Sequence, residues 1–212
     1  MHESVADELV WELNKAFKKY FGTNILTNPE FPHMINKHHF ERICNLIDNH
    51  GETARIAVGG GRDEATLKIE PTVMTGVTLD DPIMSEEIFG PVLPVLTYRS
   101  LDQAFDIVRT FEKPLATYVF SDDKAVQRRV IRELPFGGAT VNDVVIHLAN
   151  NHMGFGGVGN SGMGAYHGKV GFDAFTHYKS TMKKSTLIET GIRNPPFNET
   201  KMHLLKLVMP GK

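Results

Sequence analysis

The feature that most constrains the fold is a regular alternation between Val92 and Ile146, where short apolar runs alternate with amphipathic helical patterns. Three runs predict strands: Val92–Tyr98, Leu115–Phe120 and Ala139–Ile146. Ser100 and Ser121 follow the first two runs and are good N-cap residues, so each predicts the start of a helix. Strand–helix–strand units with short connections form right-handed crossovers. They predict an α/β fold with a mostly parallel sheet and helices on both faces. The continuous first run also predicts a strand buried on both faces.

The amino-terminal part predicts two further helices. The first spans residues 4–21, is capped by Ser4 and ends at Gly22, and its apolar residues recur at three- and four-residue steps. The second runs from about Lys37 to Asn49 and is amphipathic in the same way. Two extended segments follow the second helix: Arg55–Val58 and Leu67–Val77.

The single cysteine, Cys44, lies on the apolar face of the second predicted helix with Phe40, Ile43 and Ile47. A reactive thiolate needs a helix N-terminus, a cationic neighbour or partial exposure. The nearest basic residue in sequence, Arg42, lies on another face of the helix. Cys44 is therefore predicted to be a core thiol and not a nucleophile. One cysteine forms no internal disulfide, which fits a reducing compartment.

Charge and hydropathy exclude several function classes. The formal net charge of the 212-residue chain is −2, which gives no general electrostatic case for nucleic acid or an anionic membrane. No apolar run approaches the roughly 20 residues that a membrane span requires. The first residues lack the basic and apolar segments of a signal peptide. These observations predict a cytoplasmic protein without nucleic-acid or membrane partners. The ten histidines also do not fall at metal-ligand spacing.

A glycine-rich stretch at residues 154–164 contains the pattern G-x-G-x-x-G at Gly157, Gly159 and Gly162. As a dinucleotide fingerprint, the pattern should follow a strand directly, open a helix and have an acidic residue about 20 positions further on. Here a polar bridge precedes it, and the corresponding later segment, Thr181–Lys184, is basic. The stretch is therefore predicted to be a tight connection or a place where the backbone passes close to another surface.

One acidic segment is a candidate binding site, because Glu86 and Glu87 precede Phe89 and the rigid turn at Gly90 and Pro91. A carboxylate there could accept two hydrogen bonds from a sugar diol, and the aromatic ring could pack against a flat ring. From their chemistry alone, solvated glutamates and a core phenylalanine are the favoured interpretation. No Ser-His-Asp arrangement and no carboxylate pair for acid–base catalysis stand out.

Several motifs together resemble the aldehyde dehydrogenases. They occur in the family's order: Glu86–Val92, Lys113–Ala116, Gly137–Asp143 and Phe155–Gly164. The version of the last motif that continues to Lys169 is similar to the class 3 branch of the family. The resemblance extends from Glu3 to about Met209. One departure is Gly154, which stands where many members have proline.

The resemblance implies a three-layer catalytic-domain fold with an extended carboxyl-terminal strand and tail. Residues 1–175 would be a partial catalytic domain, 176–186 an oligomerisation strand and 187–212 the tail. The family oxidises aldehydes to carboxylic acids with NAD or NADP, through a thioester on a cysteine. That cysteine, the general-base glutamate and the nucleotide-binding domain match nothing in this chain. The resemblance therefore implies a carboxyl-terminal portion that is inactive alone and binds no cofactor tightly, or alternatively a non-catalytic oligomerisation fragment or degenerate subunit.

The resemblance also implies site residues, none of them catalytic. Glu87 would bind the hydroxyls of the nicotinamide ribose, and Phe89 would pack beside the nicotinamide. Phe155 would line the aldehyde pocket, and Asn142 would lie at the strand end beside it. Thr176–Lys184 would join a partner's sheet in a homodimer or larger assembly.

Overall fold

The computed structural model describes residues 1–187, 189, 191–192 and 194–209. The α-helices are α1 Ala6–Phe21, α2 Lys37–Asp48, α3 Leu101–Arg109, α4 Lys124–Glu133, α5 Gly168–Ala174 and α6 Glu199–Val208. The strands are β1 Arg55–Val58, β2 Arg62–Asp63, β3 Lys68–Ile69, β4 Thr72–Thr75, β5 Val92–Val95, β6 Ala116–Val119 and β7 Gly138–Val141. Short 3-10 turns occur at Glu3–Val5, Ile25–Thr27, Pro82–Met84, Ile146–Ala149 and Gly159–Ser161.

The strands form two separate sheets and one small hairpin. In the first sheet β1 is antiparallel to β4, and β4 is parallel to β5, with Val73 opposite Leu93. In the second sheet β6 is parallel to β7, with Tyr118 opposite Thr140. Strands β2 and β3 form the hairpin. The predicted parallel pairing is confirmed for β6 and β7, but the predicted single sheet is interrupted, because β5 and β6 do not pair in the described part of the chain.

The first region, residues 37–95, has the larger core. Helix α2 begins after Asn36, whose side chain accepts a hydrogen bond from the N–H of His39 at 2.9 Å. Its apolar face packs against strands of the first sheet, and Ile43 and Met74 have no exposed surface. Cys44 is buried in this core, as predicted.

The second region, residues 101–141, packs α3 and α4 against β6 and β7. Ser100 caps α3 as predicted, accepting from the N–H of Gln103 at 3.2 Å. Helix α4 is instead capped by Asp123, which accepts from the N–H of Ala125, so the prediction for Ser121 is wrong. The Ser121 hydroxyl accepts from the Asp123 N–H and holds the turn before the helix. The core here is small: Phe105, Val119, Val130 and Leu134.

Helix α1 differs from the prediction at its start and in its burial. It begins at Ala6 without a side-chain cap, because residues 3–5 form a 3-10 turn, so Ser4 is not the cap. It ends as predicted at Gly22, whose φ is +81°. None of its residues is buried. Its apolar face is therefore only partly covered by the rest of the described chain.

Strand β5 is not buried on both faces as predicted, because Leu93 is 45% exposed while Val92 and Val95 are buried. The segment after it pairs with the amino terminus in parallel. The Met1 ammonium donates to the Leu96 carbonyl at 2.7 Å, and the Tyr98 N–H donates to the Met1 carbonyl at 2.9 Å. The first residues of the chain therefore extend this sheet at one end.

The carboxyl-terminal third departs most from the sequence predictions. The strand predicted to reach Ile146 ends at Val141, because Asn142 and Val145 adopt left-handed backbone with φ of +58° and +60°. Residues 176–184 lie in no helix or strand. The predicted tail contains the ten-residue helix α6, while its residues 188, 190, 193 and 210–212 lie outside the described part. None of the described helices is long and apolar enough to cross a bilayer.

Candidate functional site

Helix α2 packs against the acidic segment Glu86–Gly90 and fixes its position. Arg42 donates through Nη1 to the Glu86 carboxylate at 2.9 Å, and through Nη2 to the carbonyl of Ile88. At the other end of the segment, a Cβ on Gly90 would lie 2.9 Å from the buried Ile43 side chain, so a larger residue there would require that side chain to shift. Two consecutive α2 residues thus fix the backbone on both sides of Glu87 and Phe89.

The two predicted cofactor residues both face outward from this segment. Glu87 is exposed, and no hydrogen bond or ion pair within the described residues engages its carboxylate. Phe89 is 74% exposed and has a φ of +46°, a left-handed conformation that is unfavourable for a residue with a side chain. The favoured residue-level interpretation of Phe89 as a core side chain is therefore wrong. An exposed ring on a strained backbone contributes nothing evident to folding, which makes it a candidate for binding.

The chemistry of the segment suits a ligand that carries a pair of neighbouring hydroxyls beside a flat ring. A free carboxylate has two oxygens, each able to accept hydrogen bonds, which suits a pair of neighbouring hydroxyls. The Phe89 ring lies two residues away and offers a flat apolar face. The cofactor roles that the resemblance implied for Glu87 and Phe89 stay predictions.

Asn142 lies at the carboxyl end of β7, where it ties together the ends of two parallel strands. Its Oδ1 accepts from the Ser121 N–H at 2.9 Å, and its Nδ2 donates to the Ser121 carbonyl at 3.2 Å. Its own N–H donates to the carbonyl of Val119 at 2.7 Å. The amide is engaged with the backbone, so in this structure Asn142 positions the strand ends.

Phe155 lies in a cluster of aromatic rings after β7. Its backbone exchanges two hydrogen bonds with Tyr166, at 2.9 and 3.0 Å. Its ring centroid is 5.8 Å from that of His147, 5.9 Å from Tyr166 and 6.4 Å from His167. The partly buried ring is therefore held on several sides, and the cluster offers an apolar wall.

His147 is the residue of this cluster that sequence reasoning did not single out. It is buried, its Nδ1 lies 3.1 Å from the Thr140 hydroxyl, and its Nε2 has no described hydrogen-bond partner. It also borders a cavity of about 380 Å³ lined by Ala139, Thr140, Val141, Ile146, Ala149, Asn150 and Met153. Nothing in the spacing of the ten histidines distinguished this one, because its burial depends on the turn after β7.

The candidate site residues form two separate groups. Glu87 and Phe89 lie on the segment behind which α2 packs, and Asn142 and Phe155 lie beyond the ends of β6 and β7. No described contact joins the two groups. The structure therefore keeps the two groups of predicted site residues apart and does not bring them into one closed pocket.

Cys44 belongs to neither group. It is 8% exposed within the core of the first region. A basic residue distant in sequence, Arg62, interacts electrostatically with Cys44, which the residues adjacent in sequence did not indicate. Asp48, through a hydrogen bond, is the main cause of the raised pKa of Arg62, and the contact with Cys44 raises it further. Arg62 donates to both carboxylate oxygens of Asp48, at 2.9 and 2.6 Å, so its charge is already paired.

Comparison with known proteins identifies the family. The profile of the Aldehyde dehydrogenase family matches residues 1–181. The chain belongs to the aldehyde dehydrogenase family. The 4,4'-diaponeurosporen-aldehyde dehydrogenase of Staphylococcus aureus is 47% identical over 197 residues, which are 93% of this chain and 42% of that protein. Aldehyde dehydrogenase family 3 member A2 of Macaca fascicularis is 44% identical over 201 residues, 94% of this chain and 41% of that protein.

Solved structures of aldehyde dehydrogenases share the fold. AldH of Staphylococcus aureus in its substrate-bound state matches with a TM-score of 0.86 and 46% identity, over 98% of this chain and 44% of that one. The betaine aldehyde dehydrogenase of the same organism in complex with NAD+ matches with a TM-score of 0.71 and 30% identity, over 82% and 36%. The aldehyde dehydrogenase chain described here thus spans less than half the length of these relatives.

Proposed function

We propose that this chain is the carboxyl-terminal part of an NAD- or NADP-dependent aldehyde dehydrogenase that oxidises aldehydes to carboxylic acids. The observation that carries the proposal is the pair of outward-facing side chains on the segment held by α2. Glu87 is exposed without a described partner, and Phe89 is 74% exposed on left-handed backbone. A protein whose only requirement is folding has no use for this arrangement.

In this proposal the segment holds the nicotinamide end of the cofactor. Glu87 accepts hydrogen bonds from two ribose hydroxyls, and Phe89 packs beside the ring. When bound, nicotinamide supplies a hydride acceptor. Arg42 and Ile43 keep the two side chains presented, because they fix the backbone on either side. A fixed position matters because small displacements of reacting groups strongly reduce rate.

The aldehyde is placed near the other group of residues. Phe155 lines its pocket, and Asn142 holds the strand ends beside it through Ser121. The rings of His147 and Tyr166 extend the wall, at 5.8 and 5.9 Å from Phe155. An aromatic wall suits an apolar aldehyde. A relative that is 47% identical is named for such a substrate, diaponeurosporen-aldehyde.

The chain alone is proposed to be inactive and to bind the nucleotide only weakly. Its one cysteine is buried in the core of the first region, so it is not available to form a thioester. Purified chain incubated with aldehyde and either cofactor should yield no reduced nicotinamide. Turnover by the chain would contradict this, and would leave the role of Glu87 to be tested separately.

The decisive test restores the missing chemistry. The upstream part of the Staphylococcus aureus diaponeurosporen-aldehyde dehydrogenase is joined to this chain at the position that matches Met1, and aldehyde oxidation is measured. We expect activity, and we expect Glu87→Gln to raise the KM for the nucleotide at least tenfold while the KM for aldehyde stays within twofold. Glu52→Gln, an exposed glutamate elsewhere in the first region, is the matched control.

One outcome would overturn the proposal, and a second would overturn only the role of Glu87. The first is a folded chimera that binds nucleotide and does not oxidise aldehydes. The second is an active chimera in which Glu87→Gln and Glu52→Gln behave alike. In the second case aldehyde oxidation would stand and the assignment of Glu87 would fall.

The working form is proposed to be a cytoplasmic homodimer or larger assembly, joined through Thr176–Lys184. Residues 177–184 are all exposed and lie in no helix or strand of this chain, so their backbone groups are available for pairing. Light scattering at micromolar concentration should give at least twice the mass of the chain. If a deletion of residues 176–184 left the number of chains per assembly unchanged, that result would contradict this interface.

A further inference from the structure

The turn after β7 carries one buried polar ring. Residues 146–149 form a 3-10 turn that follows left-handed backbone at Asn142 and Val145. Left-handed backbone costs free energy for a residue with a side chain, so contacts elsewhere have to offset it. His147 is the buried residue of this turn, with 7% of its surface exposed. A buried polar side chain also costs free energy unless its contacts compensate. Both costs point to the contacts of the His147 ring.

Strand β7 receives this ring on one face. A Cβ on Gly138 would lie 2.8 Å from Cδ2 of His147 and 3.0 Å from its Nε2, so the ring occupies the space that a side chain at position 138 would need. Two residues further along the strand, and therefore on the same face, the Thr140 hydroxyl lies 3.1 Å from Nδ1. Because Nε2 has no hydrogen-bond partner among the described residues, Thr140 is the described polar anchor of the ring.

Two aromatic rings pack against the anchored ring of His147. Its centroid is 6.0 Å from that of Tyr118 in β6, at an interplanar angle of 65°, and 5.8 Å from that of Phe155, at 52°. The backbone beside Phe155 is held separately, because a Cβ on Gly137 would lie 2.3 Å from the Gly156 carbonyl oxygen. The close backbone approach thus determines where this segment runs, and the contact with His147 restricts the orientation of the Phe155 ring.

We propose that His147, anchored on Thr140, is a positioning residue that keeps the Phe155 ring in one orientation against the apolar chain of the aldehyde. This inference rests on the proposed function, in which Phe155 lines the aldehyde pocket. In this role His147 acts through Phe155 and transfers no proton. A ring in a fixed orientation fits an apolar chain more closely than a ring that rotates. The benefit grows with the length of the chain, because a methylene group in a fitted pocket changes discrimination by about tenfold or more.

Hydrogen exchange on the chain itself tests the contact between His147 and Phe155. The Phe155 and Tyr166 amides each donate to the other residue's carbonyl, at 2.9 and 3.0 Å. His147→Leu removes the ring and should speed exchange at both amides at least fivefold, while the amides of β4 in the first region stay unchanged. His152→Asn, an exposed histidine five residues later in the chain, is the matched control and should change neither amide. Unchanged exchange at Phe155 and Tyr166 in His147→Leu would overturn the inference.

Kinetics of the active chimera test the role in aldehyde binding, with decanal and propanal as the two substrates. Thr140→Val removes the anchoring hydroxyl with little change of shape. It should raise the KM for decanal at least fivefold and leave the KM values for propanal and for the nucleotide within twofold. Thr140→Ser keeps the hydroxyl and should return the KM for decanal to within twofold of that of the unsubstituted chimera. Equal changes in all three KM values of Thr140→Val would indicate a purely structural role and would overturn the inference.

Failure of this inference is distinguishable from failure of the proposed function. If the inference alone is wrong, the unsubstituted chimera oxidises both aldehydes, and Thr140→Val has the same KM for decanal as the unsubstituted chimera. If the proposed function is wrong, the unsubstituted chimera oxidises neither aldehyde, and the role of His147 in aldehyde binding falls with it. Circular dichroism checks that each variant is folded. If His147→Leu does not fold, Thr140→Val takes its place in the exchange measurement, with faster exchange expected at the same two amides.

Discussion

The first and second regions are built from similar patterns of apolar residues but close their cores to different extents. In residues 37–95, Ile43 and Met74 have no exposed surface, and the cluster around them is completed by α2 and the first sheet. In residues 101–141, the buried side chains Phe105, Val119 and Val130 all border a cavity of about 910 Å³ that separates them from α1. The amphipathic pattern of a helix thus specifies which of its faces turns inward, but it does not specify that another element packs against that face.

The largest predicted effect compares one core residue from each region. Met74→Ala should lower the free energy of unfolding by about 4 kcal/mol, because a fully buried side chain is replaced by a cavity. Val130→Ala should cost about 1 kcal/mol, since its neighbours already border open space. Urea denaturation of both variants measures the difference. Equal losses would show that the second core is as closed as the first.

A comparison of two glycine substitutions tests whether the backbone of the first region can shift. A Cβ on Gly59 would lie 2.2 Å from the Pro71 carbonyl oxygen at a φ of +74°, whereas Gly22, with φ of +81°, has nothing within 4 Å. Gly59→Ala should therefore cost about 3 kcal/mol or more, from positive-φ backbone and a required shift of the chain, and Gly22→Ala about 2 kcal/mol from backbone alone, because its ψ of −177° places it in a region that only glycine adopts readily. Thermal denaturation compares them. Similar losses would mean that the first region shifts easily.

Substitutions of two arginines, one in each region, distinguish a role in the candidate site from a role in stability alone. Arg42→Met removes the hydrogen bonds to Glu86 and Ile88 and should cost about 1.5 kcal/mol. In the active chimera it should also raise the KM for the nucleotide about tenfold, with the KM for aldehyde unchanged. Arg129→Met in the second region removes contacts to Asp102 and Glu133. It should leave both KM values unchanged, and a tenfold change there would remove the distinction.

The smallest predicted effect is on acid stability. Hydrogen bonds from Arg62 and Arg129 lower the pKa values of Asp48 and Glu133, respectively, below their ordinary range. A carboxyl group with a lowered folded-state pKa stabilises the fold above its unfolded value, near pH 4, and loses that contribution as the pH falls further. Asp48→Asn and Glu133→Gln should each slightly reduce the difference between the urea midpoints at pH 7 and pH 3. An unchanged difference in both would contradict the assignment.

The sequence was informative where one local signal determined the outcome. The face of α2 that buries Cys44 and the cap at Ser100 follow from spacing and residue type within one helix turn. The early end of β7 was not predicted, because the left-handed backbone at Asn142 and Val145 that ends it leaves no trace in an apolar pattern. Helix α6 has a usable local signal, because Asn198 caps it, but the resemblance implied only a tail there.

The candidate site depended more on distant contacts. Family motifs pointed to Glu87 and Phe89, but their exposure and the strained backbone of Phe89 depend on packing that the motif does not contain. The contact of Arg42 with Glu86 joins residues 44 positions apart. No periodicity or spacing rule reaches that far, so the support behind the segment was not predicted.

Because α2 supports the segment Glu86–Gly90, these two stretches, which are distant in sequence, have to vary together. An α-helix turns by about 100° per residue, so one insertion before Arg42 would swing both Arg42 and Ile43 away from the segment behind which they pack. Glu86, Ile88 and Gly90 would then lose their contacts with α2 although none of the three residues had changed. Recombination between relatives should accordingly tolerate crossovers that keep residues 36–90 together and reject those that divide them.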